Sequence, residues 1–182
     1  VKCREGLKEL FQSMKEIDVI VDRSEDTPEF DYQLSIMSMP FVLGMKSIND
    51  LPKRIPYLKS TPYKELEIKK EKGKINIGIC WSASVTGESY EGKVFDLKFF
   101  EPLINNPKIN LYSLQVGEGS EDIKKLGYED KIIDLTPKLT DFSKTAYLMD
   151  NLDLIISSDT SVAHLAGALN RPVWVVLQKI PD

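Results

Sequence analysis

Residues 151–177 read NLDLIISSDTSVAHLAGALNRPVWVVL, and the fold turns on how that stretch divides. Residues 154–157 are short, partly β-branched and closed by polar residues, the pattern of a buried strand in a parallel sheet. Ser158, Asp159, Thr160 and Ser161 then supply helix-capping side chains where the strand ends, with Asp159 or Ser158 the expected cap. A helix rich in alanine and glycine follows, Pro172 stops it, and 173–177 forms the next strand, again apolar enough to be buried. A strand, a polar corner, a helix and a second strand make one unit of a parallel α/β sheet. Such a corner sits at the carboxyl edge of the sheet beside a helix N-terminus. Open α/β sheets bind ligands there, and the free N–H groups favour anions such as phosphate.

Upstream the same rhythm repeats. Strands are expected over 75–80, 110–114 and 131–135, with helices over 97–104, 121–126 and 141–149 between them. Five strands alternating with four helices predict a Rossmann-like doubly wound parallel sheet over 74–182. Residues 1–73 have another character and are expected to form a partial α/β lobe and linker. A helix is expected over 3–14, from the spacing of Leu7, Leu10, Phe11 and Met14. Strands are expected over 17–21 and 31–35, a short buried helix or turn over 37–43, an irregular stretch over 51–62, and a charged helix over 63–72 closed by Gly73. Val1 is not an initiator methionine, and the chain stops at Asp182 just after a strand. Both ends read as cut.

The chain has 182 residues with a net charge of −4, and no basic stripe offsets that average, which excludes a general nucleic-acid binder. No apolar run approaches the ~20 residues of a membrane span. Two cysteines exclude a disulfide scaffold; Cys80 reads as a reduced core thiol and the setting as cytoplasmic.

Four corners of the second lobe face one sheet edge. After the first strand, Trp81 and Ser82 open a serine-rich loop that can hold a phosphate, with Trp81 packing beneath. No G-x-G-x-x-G and no Lys-containing phosphate loop accompany it. After the second strand, Gln115 can meet a base or ribose, or is simply a polar strand end. Thr140 and Asp141 precede a helix they can cap. The corner 158–164 is the most specific. Asp159, Thr160 and Ser161 stand at the helix start, and His164, the one histidine in the chain, follows Thr160 by four residues on the same face. Against a phosphate here stands the charge of Asp159, which must then turn aside. Ser158, Asp159 and His164 lie too close in sequence to form a hydrolase triad, and no G-x-S-x-G is present. One histidine without paired cysteines gives no metal site. Lys93, in the loop after the first strand, can reach over a diphosphate and stabilise a departing nucleotide.

The run IGICWSAS (77–84), then GKVFDLKFFEPLI (92–104), LYSLQVG (111–117) and DLIISSDTSVAHLAGALNRPVWVVL (153–177) resembles the heptosyltransferase-like family 9 of bacterial glycosyltransferases. The likeness is to versions at the C-terminal end of tetratricopeptide-repeat proteins. FDYQLSIMSMPFVLG (30–44) and IPYLK (55–59) resemble the end of that family's N-terminal lobe. The resemblance implies a GT-B architecture, a nucleotide-diphosphate sugar as donor, an unidentified hydroxyl acceptor and no metal or other cofactor. It implies that Asp159, Thr160 and Ser161 meet the diphosphate or sugar, that His164 lies near them on the same helix, that Lys93 stands near the phosphates and that Gln115 approaches the nucleoside. With Trp81 and Ser82 added to the donor pocket from their own corner, Lys93 is expected to stabilise the departing diphosphate and His164 to orient it. The front of the acceptor lobe, where an activating carboxylate is expected, has no counterpart here. The rival expectation is a non-catalytic module of the same fold, used for protein contact or ligand sensing.

Overall fold

The computed structural model describes residues 1–83 and 94–177. Its centre is a five-stranded, all-parallel sheet of β3 (Ile75–Cys80), β4 (Ile109–Ser113), β5 (Ile132–Asp134), β6 (Leu154–Ser158) and β7 (Val173–Val176), ordered β5-β4-β3-β6-β7. Numbered from one within this sheet, the order is 3-2-1-4-5, the doubly wound pattern. The chain moves outward from β3 through β4 to β5, then returns to the other side of β3 to lay down β6 and β7. The reversal places the carboxyl ends of β3 and β6 side by side, with Cys80 paired to Ser157.

Alternation along the strands divides the apolar residues between the two faces. Ile77, Ile79 and Trp81 pack with Leu97, Phe100, Ile104 and Ile123 on one side. Those partners come from a 3-10 turn, Leu97–Phe100, leading into α3 (Glu101–Ile104), and from α4 (Asp122–Lys125). The opposite core joins Cys80, Tyr112, Leu114 and Ile155 to Leu148, Met149, Leu165 and Ala166, carried by α5 (Phe142–Asp150) and α6 (Ser161–Ala168). Asn170 takes φ 57 at the end of α6, where the Asn170 and Arg171 N–H groups close on Gly167 and Ala166, and Pro172 prevents resumption.

The last strand departs from expectation. β7 is an edge strand with Trp174 65% exposed, because none of the described residues packs beyond it.

The first 73 residues differ more. The expected helix over 3–14 is replaced by β1 (Lys2–Cys3) and a one-turn α1 (Lys8–Phe11). Gly6, at φ +81, breaks the helical path between them. The strand over 17–21 shrinks to β2 (Val21–Asp22), which pairs in parallel with β1, and residues 31–35 form no strand. Residues 37–43 contain α2 (Met39–Val42), yet the element is exposed, not buried, with Met37 at 86% and Phe41 at 87%. The sheet faces it would need are already covered by other helices. The charged helix over 63–72 reduces to a 3-10 turn, Lys64–Leu66. Its pattern has too few apolar positions for a helix, whose stability in proteins comes chiefly from a packed face. Leu10, Leu58 and Leu66 enter the same core as α5 and α6, so this segment is fastened to the sheet domain through shared packing.

Candidate functional site

A cavity of about 580 Å³ opens at the carboxyl edge of the sheet, over the ends of β3, β4 and β6. Its wall includes Ser82, Ala83, Gln115, Thr140, Asp141 and the run Asp159–Val162. Four corners read separately from the sequence thus converge on one space, as the strand reversal between β3 and β6 requires. Lys93 lies outside the described residues.

Two helices end at this cavity, and their N-termini are treated differently. At α5, Asp141 is the N-cap and its Oδ1 accepts from the Lys144 N–H at 3.0 Å. The Phe142 N–H donates to the carbonyl of Gly6 at 3.0 Å. That end is capped by a side chain and by the arm, which take the Lys144 and Phe142 N–H groups. At α6 the N-cap position falls on Thr160, displacing the expected Asp159 or Ser158, and no side chain caps the helix. The Thr160 hydroxyl is turned toward the sheet. Ser157 Oγ donates to the Ser158 carbonyl at 2.7 Å and shares a 3.2 Å hydrogen bond with Thr160 Oγ1. The N–H groups of Ser161 and Val162 are therefore left without a partner among the described residues while both residues line the cavity. Uncapped N–H groups and the positive end of the helix dipole together favour a nearby negative charge.

Asp159 stands beside this end, with His164 Nε2 3.8 Å from its Oδ1. The His164 side chain is 81% exposed and does not line the cavity. The geometry joins His164 to Asp159 and leaves it one turn beyond the cavity wall.

Trp81 is wholly buried under the cavity floor, its Nε1 donating to Asp122 Oδ2 at 3.2 Å. Ser82 lines the cavity and its hydroxyl donates to the Ala83 carbonyl at 3.2 Å. Gln115 is 3% exposed, and its carboxamide is fully engaged. Oε1 accepts from the N–H groups of Trp81 at 3.0 Å and Ser82 at 2.8 Å, and from the Cys80 thiol at 3.3 Å. Nε2 donates to the carbonyls of Ser82 at 3.0 Å and Glu118 at 2.7 Å. Gln115 fixes the corner after β3 from the end of β4. Cys80 stays a buried thiol, held above its usual range by desolvation.

One part of the wall has no precedent in the sequence reading. Arg4, Glu5 and Gly6 line the cavity from the N-terminal arm. A local turn before α1 carries no motif, and only the packing of α1 on α5 brings it over the sheet edge.

The profile of glycosyltransferase family 9 (heptosyltransferase) matches residues 59–176. The chain belongs to this family. Protein FlbA of Caulobacter vibrioides is 25% identical over 164 residues, which cover 84% of this chain and 27% of that protein. The chain thus spans about a quarter of the length of that curated relative. No solved structure matches it significantly. The family match begins at residue 59 and so takes in the segment of Leu58 and Leu66 that packs under α5 and α6. No helix among the described residues is long and apolar enough to cross a membrane.

Proposed function

We propose that this domain is the donor-binding part of a GT-B glycosyltransferase, taking a nucleotide-diphosphate sugar in the cavity and passing the sugar to a hydroxyl acceptor. Family membership supports the reaction class. The observation that carries the site is the uncapped N-terminus of α6 at the strand reversal, in contrast to the end of α5 that Asp141 caps. As the bond from sugar to diphosphate breaks, negative charge gathers on the departing phosphate. The Ser161 and Val162 N–H groups are fixed donors that strengthen toward that charge without reorganising. Asp159, Thr160, Ser161 and Ser82 border the donor in this reading, Trp81 and Gln115 shape the floor, and His164 acts through Asp159. Lys93 retains its proposed place over the diphosphate. A tetratricopeptide-repeat context, a bacterial source and a cytoplasmic setting belong to the proposal on the sequence resemblance alone.

Calorimetric titration with UDP, ADP and GDP tests it, wild type against Ser161→Pro. Proline at the first helical position removes one N–H while suiting the helix, and Thr160 before it is already extended at φ −138, ψ 176. Saturable binding of one nucleotide, weakened about tenfold in S161P, is the expected result; one charge-assisted hydrogen bond is worth about that much. Binding that S161P leaves unchanged would move the phosphates away from α6. A folded wild type that binds none of the three would favour a non-catalytic module.

A further inference from the structure

A nucleoside diphosphate entering this cavity would pass several ionisable groups on its wall. The charged residues among its described lining are Glu5, Glu118, Asp141, Asp159 and a single cation, Arg4. Asp141 is occupied with the Lys144 N–H and the Thr140 hydroxyl, and His164 stands by Asp159. The uncapped α6 end supplies only a partial positive charge. A full positive charge on the wall, beside the Lys93 proposed above, would hold a diphosphate more firmly.

Arg4 is placed to supply it. Its side chain makes no hydrogen bond or ion pair with the described residues, whereas Arg54 meets Glu16 and Arg171 donates to the Leu152 carbonyl. The backbone that carries it is held firmly. The Leu7 N–H closes a turn on the Arg4 carbonyl at 3.2 Å, and the Phe142 N–H holds the next carbonyl but one, that of Gly6, at 3.0 Å. Cys3 and Leu10, on either side, are buried. A pinned backbone with an uncommitted guanidinium over a cavity suits an anion, because the planar fork binds two phosphate oxygens at once with little further ordering.

Resting on the donor-site reading above, we infer that Arg4 is a specificity-determining residue that grips the nucleotide's diphosphate from the arm side of the cavity. The arm thereby makes the site selective for diphosphates over nucleosides and monophosphates.

The test is titration of the intact chain with a nucleoside, its monophosphate and its diphosphate, using whichever base binds, for wild type, Arg4→Gln and Arg4→Lys. Arg4→Gln is expected to lose about tenfold or more in diphosphate affinity and nothing in nucleoside affinity, with Arg4→Lys between. The gap should narrow as salt is raised. Diphosphate affinity unchanged in R4Q overturns the role of Arg4 and leaves the donor site standing. Equal losses for nucleoside and diphosphate overturn it too, since they mark a disturbed arm rather than a lost phosphate contact. No binding of any of them by folded wild type overturns the donor-site reading and the inference together.

Discussion

Gln115 illustrates how a cavity residue can shape the wall through its own hydrogen bonds. Its five hydrogen bonds hold the backbone of Trp81, Ser82 and Glu118 and the thiol of Cys80. Both ends of the carboxamide are needed, one as acceptor and one as donor. Glu at this position keeps the shape but cannot donate, and it buries a charge facing two carbonyls. Gln115→Glu is therefore expected to destabilise the fold by about 2–4 kcal/mol in denaturant unfolding. A midpoint equal to wild type would show the corner after β3 to be held by other means. Ser161 and Arg4 belong to the same scale. Each contributes a donor to the cavity, one from the backbone and one from a side chain.

Among the elements, β3 is where packing leaves the least room. Gly78 faces Leu152 and Leu114 so closely that an added Cβ would lie 2.6 Å from Leu152 Cδ1 and 2.7 Å from Leu114 Cδ1. Both leucines are buried in the core beneath α5 and α6, so neither can step aside without moving a helix. Gly78→Ala is expected to cost about 1–3 kcal/mol despite the better strand propensity of alanine, the usual cost of overpacking. Thermal unfolding measures it, and a stabilised variant would mean that this core is looser than its geometry. The two cavity helices differ for an equally local reason. Asp at the N-cap of α5 accepts a backbone N–H, whereas Thr160 at α6 hydrogen-bonds Ser157 and caps no N–H.

Across the whole molecule, the position of the arm is coupled to charge. Lys8 on α1 is ion-paired with Glu25, and the Asp22 N–H donates to Glu25 Oε2 at 2.9 Å. The Lys8 contact and that N–H hold the Glu25 carboxyl below its usual range. The Ser24 N–H and hydroxyl do the same for Asp22. A carboxylate with a lowered folded pKa adds stability that is full above its unfolded value of about 4, and this is lost as pH falls through the folded value. Glu25→Gln is thus expected to melt below wild type at pH 7, with the gap closing as pH falls through the folded value of Glu25, followed by thermal unfolding. A gap that persists in acid would show that the ion pair is not its source. Beyond the arm, Met37, Phe41 and Ile48 are exposed in a segment that contributes little to the shared core.

What the sequence determined by itself is the sheet domain. The strand over 75–80 falls where expected, those over 110–114, 131–135 and 154–157 shift by about a residue, and helix α5 begins after the Asp141 that its sequence marks as a cap. Parallel strands are buried on both faces and helices carry one apolar stripe, so their patterns are strong and local. The family motifs lie in these same elements. The first 73 residues were less legible, because their apolar positions are sparse and depend on partners distant in the chain. Only tertiary structure decided three features of the site. It turned Thr160 toward Ser157 and left α6 uncapped, it spent the Gln115 carboxamide on the corner after β3, and it laid Arg4 over the cavity. Each depends on a contact between residues on different elements, where hydrogen-bond partners are chosen by packing and not by neighbours in sequence.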